Sequence, residues 1–224
     1  MPDATPISED ELLRVLRVSE GAVLVGGQAL AFWLAWFKID FSDGPRVYVS
    51  SDADFLGLPE QKMIKSKLIV VDVLHKLVGL DADAVRQRAI EVTHPRDPSL
   101  RFLVMDPVDC LVSRFENLRQ IAQKQNEVGV WQANKAVAVC RAYLGELIRL
   151  GGERKAIKAA TALFRLAGSA TGLQAHAKYG LDILAGVPIG KFSSDAFKRA
   201  QAPRSVAAIA QARKDLSSRN PGKP

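Results

Sequence analysis

The hydrophobic pattern of the chain changes at Pro107, and this change limits the possible folds more than any other feature. Before Pro107, apolar runs of strand length alternate with helical segments. After it, apolar residues recur about every 3.6 positions, beginning with the stripe at 110–121. We therefore predict an α+β chain: residues 1–107 form a small mixed sheet with flanking helices, and 108–216 form a helical bundle. The polar segment 217–224 is predicted to be a disordered tail.

The same patterns predict the individual elements. The predicted strands are 22–25, 46–50 continuing towards Asp54, 67–74 and 100–105. The predicted helices are 28–37, 81–88, 131–150, 154–166 and 193–216.

A glycine pair, Gly26 and Gly27, lies between the first predicted strand and the apolar helix that follows. Backbone N–H groups at such a helix N-terminus can bind phosphate oxygens. A simple turn also requires glycine at this point, so the pair alone does not establish a phosphate site. It is not a Walker loop, because no Gly-Lys-Ser/Thr follows, and the dinucleotide fingerprint is incomplete.

Two aspartates, Asp52 and Asp54, follow the next predicted strand in the segment SDADF. Side chains two residues apart on a strand point to the same face. Paired carboxylates on one face are suitable ligands for Mg²⁺ in phosphoryl or nucleotidyl transfer. The alternative is a polar strand end that enters a loop.

A third carboxylate, Asp72, interrupts the apolar run at 68–74. A carboxylate in a buried strand is costly unless it is paired or binds a metal. Lys67, His75 or Lys76 could be structural partners. If Asp72 joins the other two acids, the three could hold divalent cations, or two could hold metal while Asp72 acts as a base.

The charge balance and cysteine content restrict partners and compartment. The formal net charge of +7 favours an anionic partner such as a nucleotide, RNA or DNA, although a basic C-terminal segment at 191–223 would produce the same excess. The two cysteines, Cys110 and Cys140, lie in helical patterns and fit a reducing cytoplasm. Residues 1–10 do not resemble a signal peptide, and the apolar stretch 29–37 is too short to span a bilayer.

Other conspicuous side chains receive structural interpretations. The three histidines match no metal-site spacing. Arg86 and Arg88 are interpreted as a solvated face, and Trp33, Trp36 and Phe37 as core. Trp131, near a helix start, could stack on a base, although a structural position is the alternative.

Three segments together resemble the polymerase-beta-type nucleotidyltransferase superfamily. They read VGGQA at 25–29, SDADF at 51–55 and VDVL at 71–74. Within that superfamily the chain is most similar to bacterial minimal nucleotidyltransferases and to abortive-infection toxin nucleotidyltransferases. Residues 106–118 resemble the segment that leads those proteins into a helical C-terminal domain. The motif-bearing resemblance covers roughly 24–118, and beyond it the similarity is limited to helical character.

The resemblance implies a nucleotidyltransferase core and a set of site residues. Gly26, Gly27 and Ser51 would contact the nucleotide, together with Arg114 and with Lys124, which is predicted to lie further along the same helix as Arg114. The three acids Asp52, Asp54 and Asp72 would bind Mg²⁺ and serve catalysis. The implied reaction moves an NMP group from an NTP to a hydroxyl of a protein or a tRNA, in a toxin with an antitoxin partner.

Two departures from the family pattern leave an alternative open. An insertion at 38–46 lengthens the connection between the glycine pair and the paired aspartates, and the gap between Asp54 and Asp72 is short. The alternative is a catalytically degenerate domain that binds RNA, a nucleotide or a protein partner.

Overall fold

The computed structural model describes residues 13, 15–17, 21–40, 42–44, 53–57, 71–74 and 77–219. These residues contain helices and a mixed β-sheet, which confirms the predicted α+β class. The chain divides into two compact units, Met1–Ser113 and Arg114–Pro224. None of the described helices is both long and apolar enough to cross a membrane.

The first unit contains a sheet of five described strands. They are β1 (Val23–Leu24), β2 (Ala53–Leu56), β3 (Val71–Leu74), β4 (Ile90–His94) and β5 (Asp97–Val104). Their order across the sheet is β3-β2-β1-β5-β4. β1 pairs antiparallel with β2 and parallel with β5, β2 pairs parallel with β3, and β4 pairs antiparallel with β5. The shortest strand is therefore central, and both of its residues are fully buried.

The helices that begin in the first unit start in different ways, and helix Gly26–Trp36 contacts β2. Helix α1 (Gly26–Trp36) buries Trp33, whose indole N–H donates to Met105 O at 2.8 Å. Helix α2 (Ala82–Arg88) is capped by the Asp81 side chain, which accepts from Ala84 N at 2.7 Å. Helix α3 (Pro107–Gln120) starts with proline, which suits the first helical position because its missing N–H would have no intrahelical partner.

The second unit is helical throughout its described part. After the end of α3 come α4 (Glu127–Arg149), α5 (Glu153–Gly168), α6 (Ala170–Tyr179) and α7 (Ala202–Arg219). Short 3₁₀ segments occupy Ala122–Lys124, Ile183–Gly186 and Ile189–Lys191, and a π-helical segment, Phe197–Gln201, precedes α7. Helix α5 packs against α4, α6 and α7, and its small residues Ala156 and Ala160 are fully buried.

Strand β4 was not predicted, and its last residue is His94. This histidine is only 6% exposed and packs its ring against Phe102. Sequence reasoning missed the strand because it has few apolar residues and is followed by Pro95. Its pairing with β5 supplies the stability that its own residues lack.

Two further predictions need correction. Trp36 is 44% exposed, so it is not a core residue, although its neighbour Trp33 is. Helix α7 continues to Arg219, so the first residues of the predicted tail are helical. The predicted strand at 46–50 lies outside the described residues.

Candidate functional site

The candidate site lies at the edge of the sheet where β1 and β5 end and β2 and β3 begin. Because β1 and β2 run antiparallel, the residue after β1 meets the first half of β2. The hydrogen bond from Val25 N to Asp54 O, 2.9 Å long, marks this meeting point. Met105 N donates to Leu24 O at 2.9 Å on the other side of β1. The structure thus brings Gly26 and Asp54, from two separate motifs, to one place.

Gly26 is held in a conformation that only glycine adopts readily. Its φ is +68°, in the left-handed region. A Cβ built at this position would overlap Asp54 Oδ2 and lie 2.9 Å from Asp54 Cγ. The half-buried Asp54 carboxylate therefore occupies the space that the missing Gly26 side chain leaves open.

The start of α1 favours a negatively charged neighbour. Val25 provides no side-chain cap, and the first turn contains no acidic residue. The first amides of a helix and its dipole attract anions. Gly26 and Gly27 are both buried at this end, with the Asp54 carboxylate against Gly26. The same environment can stabilise a carboxylate or a phosphate oxygen.

Asp72 lies next to Asp54 in the sheet. The two are Cα partners in the parallel pairing of β2 with β3. β3 is the last strand in the described order, and the burial expected for the Asp72 side chain remains a prediction. Ser51 and Asp52, which directly precede β2, lie outside the described residues.

Sequence reasoning did not single out Asp106, which reaches the same sheet edge from the end of β5. Its Oδ1 accepts a hydrogen bond from Val108 N at 2.7 Å at the start of α3. Because β1 and β5 are parallel neighbours, Asp106 and Gly26 follow strand ends that lie side by side. The sequence signal that could have indicated Asp106 is its position between the apolar strand that precedes it and a helix that begins with Pro107.

The interpretation of Arg86 and Arg88 as a solvated face holds for Arg88, which is exposed, but not for Arg86, which is half-buried, and both side chains have partners. Arg88 forms a two-point ion pair with the buried Asp109, at 2.9 Å and 3.0 Å. This hydrogen bonding, with the nearby charge of Asp106, raises the pKa of the Arg88 guanidinium although burial opposes the shift. The half-buried Arg86 donates to Gly57 O, directly after β2. Both arginines therefore connect α2 to neighbouring segments of the first unit.

The described residues contain no group of three or more His, Cys, Asp or Glu that could hold a metal ion. Asp52 and the side chain of Asp72 lie outside that search. Within the described part, the donors at the sheet edge are the carboxylates of Asp54 and Asp106.

Two predicted nucleotide contacts belong to the second unit. Arg114 is 7% exposed, and its Nη1 donates to Gln132 Oε1 at 3.2 Å, which joins α3 to α4. Lys124 is exposed, but it is not on the same helix as Arg114, because α3 ends at Gln120 and Lys124 lies in the following 3₁₀ segment. Their roles towards a nucleotide remain predictions.

Trp131 is half-buried in the first turns of α4, with Lys135 Nζ 5.6 Å from the centre of its ring. This cation–π contact gives the ring a structural neighbour within its own helix. Base stacking by Trp131 remains a prediction.

Comparisons of the chain with protein-family models, with curated protein sequences and with solved structures found no match. The function is therefore inferred from the chain's own residues, from their geometry and from the resemblance of its sequence motifs.

Proposed function

We propose that the protein is a magnesium-dependent nucleotidyltransferase that moves an NMP group from an NTP to a hydroxyl. The observation that carries this proposal is the contact between the Asp54 carboxylate and Gly26 at the start of α1. A hard-oxygen ligand and a phosphate-binding helix start are thereby adjacent. The sequence resemblance to polymerase-beta-type nucleotidyltransferases supports the same reaction.

The residues at this edge are proposed to hold a divalent cation. Asp54 is half-buried beside a glycine that no other residue could replace without displacing the carboxylate. Asp52 and Asp72 are proposed to complete the ligand set. This proposal requires Asp54 and Asp72 to lie on the same face of the sheet. Register partners on neighbouring strands share a face, and Asp54 and Asp72 are such partners. When bound, Mg²⁺ supplies positive charge beside the phosphate oxygens, where negative charge develops in the transition state.

The proposed chemistry is an in-line displacement at the α-phosphorus of the NTP. The acceptor oxygen forms a bond to this phosphorus while the bond to the β-phosphate oxygen breaks, and pyrophosphate leaves. The acceptor hydroxyl loses its proton to a carboxylate, for which Asp72 is the proposed base. Backbone N–H groups of Gly26 and Gly27 hold the triphosphate, and Ser51, Arg114 and Lys124 are proposed further contacts.

The acceptor and the biological setting extend this proposal. A hydroxyl on a protein or at the end of a tRNA is the proposed acceptor, and the protein would act as the toxin of a toxin–antitoxin pair. Both statements depend on the sequence resemblance.

Label transfer from α-³²P NTPs tests the reaction. The full chain is incubated with each NTP, MgCl₂ and a cell extract that contains RNA and protein acceptors. We expect incorporation that EDTA abolishes. The double substitution Asp52→Asn and Asp54→Asn should reduce it roughly 100-fold or more, because about 3 kcal/mol of transition-state stabilisation is lost.

Asp83→Asn is the matched control, because Asp83 is an exposed aspartate on α2 of the same unit. It should transfer label like the wild type. The absence of transfer with every NTP, together with the absence of magnesium-dependent NTP binding, would show that the proposal is wrong. In that case Asp54 is a structural cap of α1, which has no side-chain cap from Val25, and the degenerate-domain alternative holds.

A further inference from the structure

Charge is divided very unevenly between the two units. Met1–Ser113 contains 12 lysines and arginines against 17 aspartates and glutamates, whereas Arg114–Pro224 contains 19 against 7. The formal net charges are therefore −5 and +12. The positive charge of the whole chain comes entirely from the helical unit, and it is not confined to the basic segment at 191–223.

Many cations of the second unit are already held by partners. Arg149 pairs with Glu146, Arg213 with Asp182 and Arg199 with Asp195. Among the described residues of this unit, eight exposed cationic side chains have neither an ion-pair nor a hydrogen-bond partner. They are Lys124, Arg154, Lys155, Lys158, Arg165, Lys191, Arg204 and Lys214. Half of them lie on α5.

Three of these residues form a straight row, here called the α5 stripe: Arg154, Lys158 and Arg165. At 100° per residue they lie within about 40° of one another around the helix, and they span roughly 16 Å along it. Thr161 lies between them and accepts a hydrogen bond from Gln201 Nε2 at 2.9 Å. The opposite face of α5 is buried, so the backbone that carries the α5 stripe is held in place by packing.

Among the described residues, no carboxylate forms an ion pair or a hydrogen bond with the α5 stripe. The only acid of α5, Glu153, accepts hydrogen bonds from Ser193 N at 2.6 Å and Ser194 N at 2.8 Å. Arg154 and Lys158 are four positions apart, where like charges destabilise a helix. An external anion would remove this repulsion.

We propose that the α5 stripe binds the phosphodiester backbone of a double-helical nucleic acid. A duplex carries about one negative charge per 1.7 Å of its axis, so a row of this length faces several phosphates at once. Single-strand binding depends on exposed aromatic rings, whereas Phe164, the aromatic residue of α5, is 5% exposed. Phosphate contacts of this kind are independent of sequence.

This binding does not depend on the proposed transfer reaction. Asp54→Asn is expected to lose label transfer and to bind nucleic acid like the wild type. A failure of one proposal can therefore be distinguished from a failure of the other.

Fluorescence anisotropy of the full chain with labelled 20-bp RNA and DNA duplexes and a 20-nucleotide single-stranded RNA tests the proposal. In 100 mM NaCl we expect a duplex dissociation constant of roughly 10⁻⁴ to 10⁻⁶ M, with weaker binding of the single strand. Replacing Arg154, Lys158 and Arg165 by Gln should weaken duplex binding about tenfold or more. The slope of log K against log salt should fall in magnitude by roughly 2 to 3, about 0.9 for each lost phosphate contact.

The matched control removes the same charge from cations that already have partners: Arg149→Gln, Lys178→Gln and Arg199→Gln. It should weaken binding less than threefold. The charge-retaining set Arg154→Lys, Lys158→Arg and Arg165→Lys should bind like the wild type, and circular dichroism confirms that each variant is folded.

Three outcomes would overturn the proposal. The first is that the wild type binds no duplex. The second is that the α5-stripe variant and the control variant lose the same amount of duplex affinity, which would indicate an effect of net charge alone. The third is tighter binding of poly-glutamate or of phosphatidylserine vesicles than of duplex, which would identify an acidic protein or a membrane surface as the partner. The RNA and DNA arms show which duplex is preferred.

Discussion

At Gly26, a single missing side chain determines the geometry of the candidate site. A left-handed backbone costs a non-glycine residue about 1–2 kcal/mol. At Gly26 this cost would be joined by overlap with the Asp54 carboxylate. Gly21 provides a comparison, because its φ is +75° and a Cβ there would meet nothing within 4 Å.

Gly26→Ala should therefore destabilise the protein much more than Gly21→Ala. We expect Gly26→Ala to lower the free energy of unfolding by about 2–5 kcal/mol and Gly21→Ala to lower it by about 1–2 kcal/mol. Urea denaturation followed by fluorescence of the buried Trp33 measures both.

Asp54→Ala provides the internal check on this prediction. It removes Oδ2 and Cγ, so the cost of Gly26→Ala should be smaller in that background. An unchanged cost would contradict the contact between the carboxylate and Gly26.

At the scale of a secondary-structure element, α5 combines a well-packed face with an unfavourable distribution of charge. Arg154 lies in the first turn, where the helix dipole disfavours a cation, and it faces Lys158 one turn later. Arg165 lies in the last turn, where a cation is favourable. Reversing the same charge at the two ends should therefore change stability in opposite directions.

Arg154→Glu is expected to raise the free energy of unfolding by roughly 0.5–1 kcal/mol, because a glutamate there favours the helix start and pairs with Lys158. Arg165→Glu should lower it by roughly 0.3–1 kcal/mol. Urea denaturation followed at 222 nm compares the two variants. Equal changes in the free energy of unfolding would contradict the dipole reasoning. Both variants should also weaken duplex binding if the α5 stripe is the binding surface.

At the scale of the whole molecule, the charges of −5 and +12 give the two units opposite electrostatic character. Repulsion among like charges destabilises a compact unit, and salt screens it. Screening also weakens surface ion pairs such as Arg149 with Glu146, but exposed pairs of this kind contribute little.

Raising NaCl from 50 to 500 mM should therefore increase the thermal midpoint of the helical signal. A gain of about 1 kcal/mol corresponds to roughly 2–4 °C for a chain of this size. The variant with Gln at Arg154, Lys158 and Arg165 should show a smaller increase. A midpoint that falls with salt would mean that ion pairs outweigh the repulsion.

Several elements could be predicted from local pattern alone. The apolar periods of α4 and α5 are long and regular, the segment of α1 is an almost continuous apolar run, and the structure places helices at all three. β1 was predicted as 22–25 because a buried apolar run ends at a glycine pair, and it is observed at Val23–Leu24. By contrast, β4 could not be predicted, because its strand conformation depends on pairing with β5 rather than on its own residues.

The sequence by itself determined the α+β class and the presence of glycine and carboxylate motifs, because strand and helix periods and residue chemistry are local properties. Only the tertiary structure decided that Gly26 and Asp54 touch, since an antiparallel pairing of β1 with β2 brings residues from distant positions together. It also decided that Asp106 lies at the same edge and that the α5 stripe has no ion-pair or hydrogen-bond partner among the described residues. Strand register and burial depend on the whole chain, so short-range patterns do not specify them.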